Sequence, residues 1–147
     1  MTAYVVDAST AVKLYLTEPL AKEAATLFAL TAASPPSELH VPDLFFAECA
    51  NIFWKQVRRG TLTDAQASAF EAKLRGLPLT RTPTFDLTVA ALPIALSYDV
   101  TAYDACYVAL AQRLGVSLVT ADQKLQAKLA GTPLEPVWLG AWTAPGP

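Results

Sequence analysis

Four acidic residues fall where strands should end and helices should begin. They are Asp7 after Tyr4-Val5-Val6, Glu48 in Leu44-Phe45-Phe46-Ala47-Glu48-Cys49, Asp104 in Tyr103-Asp104-Ala105-Cys106, and Asp122 in Val119-Thr120-Ala121-Asp122. In an open α/β sheet the carboxyl ends of the strands line one crevice, and ligands bind there. Four carboxylates gathered in such a crevice repel one another. Mg²⁺ and Mn²⁺ are hard ions that prefer oxygen ligands, and either would offset that repulsion. These residue types therefore predict a metal-dependent hydrolase of phosphate esters, with Asp7, Glu48, Asp104 and Asp122 as its catalytic metal ligands.

Each acid also has a purely structural explanation. At about 100° per residue, Leu44, Phe45 and Ile52 fall within roughly 60° of Glu48 around a helix, so Glu48 shares the apolar face. A carboxylate on such a face needs a cation, a hydrogen-bond partner or a raised pKa; the alternative is a surface Glu at the edge of that face. Thr101-Ala102-Tyr103-Asp104 has a capping-box-like spacing that favours an acid near the helix start, and capping is compatible with ligation. Asp122 or Thr120 could cap a helix beginning at Gln123. Asp7, directly ending a buried first strand, has no evident structural need there beyond a loop hydrogen bond. Ser9 could cap the next helix or touch a metal-bound water, and Ser9 and Thr120 are candidate outer supports of the site. Asp43 looks like an N-cap after Pro42, and Asp99 lies in a loop before Thr101. His40 pairs with no nucleophile. Lys55, Arg58 and Arg59 fit interaction with a helix C-terminus better than nucleic-acid binding. The scattered glycines form no phosphate-binding loop.

The elements that must position these acids alternate along the chain. Residues 3–6 predict a strand, 9–16 and 18–30 helical segments, 31–38 a loop around Ser34-Pro35-Pro36-Ser37, and 39–42 a very short strand. Helices follow over 43–59, stopping at Gly60, and 64–75, stopping at Gly76. A strand over 78–82, helices over 85–97 and 104–114, a strand over 116–120, a helix over 123–130 and a strand over 136–139 complete the pattern. Such alternation predicts a parallel sheet with helices on both faces. One domain over residues 1–140, followed by a flexible tail over 141–147, is the expected organisation.

Composition agrees with this reading. At 147 residues the chain can bury a full core. Its charged content of 16% is low against an average near 25%, which hints at surface covered by another chain. An alanine-rich composition that inflates the apolar count is the alternative. No apolar stretch reaches the ~18 residues of a membrane span. No basic region precedes the first apolar run, so no export signal is expected and a cytoplasmic location follows. Cys49 and Cys106 are expected as buried free thiols. The net charge is −2, yet setting aside the four candidate ligands leaves nine acidic residues against 11 basic ones. The acidic balance therefore neither excludes nor supports a nucleic-acid substrate.

Taken together, these motifs resemble PIN-domain ribonucleases, and among them the VapC toxins of bacterial toxin–antitoxin pairs. Tyr4-Val5-Val6-Asp7-Ala8-Ser9 is similar to the family's first-strand motif and places its first acid at Asp7. Val41-Pro42 with Glu48-Cys49-Ala50-Asn51 is similar to the second. Tyr103-Asp104-Ala105-Cys106-Tyr107-Val108-Ala109-Leu110-Ala111 is the most specific stretch, and Leu118-Val119-Thr120-Ala121-Asp122 carries the fourth acid. Each motif is short, but all four in order are specific, and the acid quartet shows no departure. The resemblance implies a three-layer α/β/α PIN-like fold with a five-stranded parallel sheet of order 3-2-1-4-5. It also implies Mg²⁺ or Mn²⁺, an RNA substrate, a homodimer and a small antitoxin that blocks the active-site groove.

The implied reaction is hydrolysis of an RNA phosphodiester, with one or two ions orienting a water and offsetting charge on the phosphate. A haloacid-dehalogenase-like phosphatase also places an acid after its first strand. It wants a second acid two residues later, where this chain has Ser9. Two more readings stay open: a PIN nuclease in RNA processing without an antitoxin, and a non-catalytic binding domain whose acids only cap helices.

Overall fold

The computed structural model describes residues 2–146; Met1, and Pro147 at the end of the expected tail, lie outside the described residues. Its strands are β1 (Ala3–Val6), β2 (Glu38–Pro42), β3 (Leu79–Thr82), β4 (Ser117–Thr120) and β5 (Val137–Trp138). Its helices are α1 (Ala8–Ala11), α2 (Ala21–Ala29), α3 (Leu44–Arg58), α4 (Asp64–Arg75), α5 (Thr88–Tyr98), α6 (Ala102–Leu114) and α7 (Gln123–Leu129). The sheet is parallel throughout and its order is β3-β2-β1-β4-β5, as the resemblance implied.

β1 is the central strand, with Val5 opposite His40 on one side and Leu118 on the other. Val5, Val6, Leu39, Val41 and Val119 are fully buried, as strands covered on both faces require. Chain reversal between β1 and β4 creates the switch point at which Asp7 and Asp122 emerge side by side in the topology.

α6 packs across β1, β2 and β4 and is covered in turn by α5. Every residue from Ala105 to Ala111 is buried, and the small side chains at 105, 106, 109 and 111 let its neighbours approach from both sides. Gly115 ends α6 in the left-handed region at φ 66°, where a side chain would be strained. α3 buries Phe45, Cys49 and Phe53 at a four-residue spacing. Phe53 meets Phe70 of α4 at 5.8 Å, and Tyr15 stacks on Phe70 at 5.4 Å, so three aromatic rings tie the α3–α4 hairpin to the turn after α1. Cys49 and Cys106 are free and buried.

Several boundaries differ from the sequence expectation. The helix expected over 9–16 is one α-turn followed by a 3₁₀ turn at Val12–Leu14. The one expected from Glu18 starts at Ala21, because Pro19 disfavours helix at the preceding residue and Leu20 turns at φ 71°. Trp142 is buried and packs edge-on to Tyr4 at 6.0 Å. Among the described residues, no helix is long and apolar enough to cross a membrane.

Candidate metal and phosphodiester site

Asp7 caps α1. Its Oδ1 accepts hydrogen bonds from the Thr10 backbone N–H at 3.0 Å and from Ser9 Oγ at 2.7 Å. Its Oδ2 accepts a short hydrogen bond from Thr120 Oγ1. From the sequence, Asp7 has no structural need beyond a loop hydrogen bond; the structure adds a cap, because a single α-turn needs its first N–H groups satisfied. Thr10, whose hydroxyl donates to the Val119 carbonyl at 3.2 Å, was not singled out from sequence. Ser9 Oγ also accepts from Ala121 N–H at 3.1 Å, and Thr120 Oγ1 from Asp122 N–H at 3.0 Å. The ends of β1 and β4 are thus laced together through the two hydroxyls proposed as supports. Burial drives the Asp7 pKa above the ordinary carboxylate value, while the bonds from Thr120, Ser9 and Thr10 pull it back.

Asp122 caps α7, its Oδ1 accepting from the N–H groups of Lys124 at 2.9 Å and Leu125 at 3.2 Å. The cap uses one oxygen and leaves Oδ2 for another partner. Capping and ligation are therefore compatible here, as at Asp104, whose N–H bonds Thr101 Oγ1 at 3.0 Å while its carboxylate extends from the first turn of α6.

Glu48 and Asp104 are held less firmly. Glu48 Oε1 is buried without a hydrogen-bond partner, and so is the Tyr107 hydroxyl. That hydroxyl lies near enough to lower the Glu48 pKa, without closing a bond of normal geometry. Burial first, and then the charges of Asp104, Asp7 and Asp122, push Glu48 up to about 7. Burial, followed by the charges of Asp122 and Asp7, raises Asp104 to about 6. Asp7, Asp104 and Asp122 thus act on Glu48, and Asp7 and Asp122 on Asp104, through space, as groups facing one crevice do. Tyr107, three residues after Asp104 on α6, was missed; its place one turn along the same helix was the available signal.

Among the described residues no three of these side chains close into a ready-made coordination shell. The donor set, all oxygen with one buried oxygen unpartnered, fits a hard divalent ion.

The weaker candidates have structural jobs. Asp43 precedes α3 but makes no capping bond there. Its carboxylate instead accepts from Thr84 N–H at 2.8 Å and from the Thr84 hydroxyl, and these bonds hold its pKa down. Asp99 pairs with Lys128 at 3.1 Å, and His40 with Glu38 at 3.0 Å. The basic cluster divides: Arg58 lies over the Trp54 ring at 5.7 Å, whereas Lys55 lines a cavity of about 410 Å³ next to Glu48.

Comparison with known proteins bears on this geometry. The PIN-domain family profile matches residues 4–131. Ribonuclease VapC3 of Pyrobaculum aerophilum is 37% identical over 126 residues, covering 84% of this chain and 92% of the relative. The crystal structure of PAE2754 from the same organism superposes with a TM-score of 0.68 at 27% identity, covering 95% of this chain and 85% of that one. A toxin-antitoxin complex from Klebsiella pneumoniae superposes with a TM-score of 0.59 at 16% identity, covering 90% of this chain and 94% of that chain, a likeness of fold.

Proposed function

The chain belongs to the PIN-domain family, with a VapC ribonuclease among its relatives, and from that premise we propose that it is a divalent-metal-dependent endoribonuclease and the toxin of a toxin–antitoxin pair. The observation that carries this reading is the buried, unpartnered Glu48 oxygen beside three further carboxylates that raise its pKa. A structure that only capped helices would have no reason to hold that oxygen there at a cost of about 1–3 kcal/mol.

Asp7, Glu48, Asp104 and Asp122 would hold Mg²⁺ or Mn²⁺. When bound, such an ion supplies Lewis-acid charge that activates a water and offsets charge on the scissile phosphate. The chain's own part is positioning. Thr120 and Ser9 fix the Asp7 carboxylate, and Thr120 couples it to the backbone of Asp122. With pKa values raised to about 7 and about 6, Glu48 near neutral pH and Asp104 in mildly acid solution would carry protons without a cation and release them to bind one.

Two protein partners follow. α5 presents Val89, Leu92 and Leu96 to solvent, and Phe85 precedes them in the turn before the helix, with Phe85 88% and Val89 86% exposed. Their spacing of four, three and four residues makes one uncharged stripe suited to a second copy of this chain. Between α3 and α4, a groove of about 320 Å³ floored by Phe53 and flanked by exposed Trp54 suits an apolar antitoxin segment. An Arg or Lys from that partner would pair with the acidic crevice and compete with the ion.

The test is cleavage of labelled RNA by purified protein with Mg²⁺ or Mn²⁺. Cleavage that stops in EDTA and in Asp104→Asn supports the reading. An inactive wild type with both ions, or an Asp104→Asn variant with unchanged rate, overturns it.

A further inference from the structure

We propose that the cavity beside Glu48 is a subsite for one unpaired RNA nucleotide, with Tyr103 stacking on the base, Lys55 meeting a phosphate and Asn51 hydrogen-bonding the base edge. This rests on the nuclease reading of the acidic crevice and names what lies next to the scissile bond.

The cavity measures about 410 Å³ and is lined by Leu44, Ala47, Glu48, Asn51, Ile52, Lys55 and Tyr103. It therefore opens directly onto one of the four acids. Along α3, Leu44, Asn51, Ile52 and Lys55 all fall within roughly 60° of Glu48, so one helix face supplies most of the wall. Leu44 and Ile52 are half-buried and give that wall an apolar base. Tyr103 closes the other side. It is 66% exposed, although it stands beside Asp104 just before the buried run 105–111 of α6. A ring left in solvent next to a carboxylate site offers a face for a base, and stacking of this kind tolerates any base.

Lys55 supplies the charge. It makes no ion pair among the described residues, whereas Lys13, Lys128 and His40 each have an acidic partner. It lies seven residues, or about 10 Å of helix, beyond Glu48, too far to share the same ion and well placed for a neighbouring phosphate. Asn51, exposed and one turn from Glu48, carries both a donor and an acceptor, as a base edge demands. The groove between α3 and α4 differs in kind: Asp64 and Glu71 line it and no Lys or Arg does. That groove repels a phosphate backbone, and the cavity beside Glu48 receives one.

The experiment measures RNA steady-state kinetics for the full chain, and anisotropy of a fluorescein-labelled single-stranded RNA oligonucleotide with variants built on Asp104→Asn. Tyr103→Ala should weaken RNA affinity and raise KM roughly five- to a hundredfold, with a much smaller change in kcat. Tyr103→Phe, which keeps the ring, should restore both. Lys55→Ala should reduce the dependence of log affinity on log salt by about 0.7. Thermal melting confirms that each variant folds. Cleavage with unchanged KM and affinity in Tyr103→Ala and Lys55→Ala overturns the subsite and leaves the nuclease reading standing. Weakened RNA binding by those variants, in a protein whose wild type cleaves no RNA, keeps the subsite and sinks the nuclease reading. Loss of antitoxin capture with RNA affinity intact assigns this surface to the protein partner and also overturns the subsite.

Discussion

Asp7 and Asp122 stand after strand ends and are anchored as caps of the helices that follow, whereas Glu48 and Asp104 reach in from within helices and carry little support. Asp7 accepts three hydrogen bonds, from Ser9 and Thr10 of α1 and Thr120 of β4, and Asp122 two, from the first turn of α7. Glu48 leaves a buried oxygen unpaired and, with Asp104, has its pKa raised into the neutral range. One half of the crevice is therefore rigid before any ligand arrives. The other half is electrostatically strained and would gain most from a bound cation. The same carboxylate chemistry serves as a helix cap on one side and as a charge reservoir on the other, and the difference comes from the elements that carry each residue.

The largest expected effect is on catalysis and falls on both halves alike. Asp7→Asn, Glu48→Gln and Asp104→Asn should each lower Mg²⁺- or Mn²⁺-dependent RNA cleavage by at least about a hundredfold, because each would remove a charged ligand of the proposed site. Single-turnover rates check this, and an Asp7 variant that cleaves normally would remove the rigid half from the site.

Mn²⁺ should raise stability next. A ligand that binds only the native state adds about 2.7 kcal/mol at a hundredfold excess over its Kd, or roughly 5–10 °C in melting temperature for a chain of this size. Glu48→Gln should lose most of that gain.

Without metal, the halves should respond with opposite signs. Asp7→Ala strands the Thr10 N–H and the Thr120 hydroxyl and should cost about 1–3 kcal/mol. Asp104→Asn relieves repulsion while keeping the Thr101 cap, and should raise apo stability. Urea melts in EDTA distinguish the two; destabilisation of equal size would erase the contrast.

The smallest expected effect is on pH dependence. Because Glu48 and Asp104 have folded pKa values raised above their ordinary ones, the native state binds more protons than the unfolded chain in between. Their contribution to apo stability is full below the ordinary carboxylate range and is lost as pH rises through about 6 for Asp104 and about 7 for Glu48. The apo melting temperature should fall over that window, and Glu48→Gln should flatten the slope.

Much of this contrast was legible in the sequence and part was not. Asp122 and Thr101 announced their caps through spacing, because N-cap chemistry is local. The sheet order came through motif resemblance, since alternating strands and helices fix a parallel sheet but not its permutation. The cap made by Asp7 was hidden, because α1 is a single turn too short to show periodicity. Tyr107 and Thr10 escaped because their roles depend on contacts with residues far away in sequence, Glu48 and Val119. Lys55 and Arg58 looked like one basic cluster, yet Arg58 folds over the Trp54 ring while Lys55 lines the cavity beside Glu48, a difference of side-chain contact that spacing does not show.

The central claim is that the anchored and strained acids form one cation site. Calorimetric titration of Mn²⁺ into metal-free protein at about pH 6.5, in buffers of different ionisation enthalpy, tests it most directly. The account expects saturable binding with proton release, weakened by both Asp7→Asn and Glu48→Gln, and proton release largely lost in Glu48→Gln. Absence of saturable binding, or binding indifferent to either substitution, would contradict it.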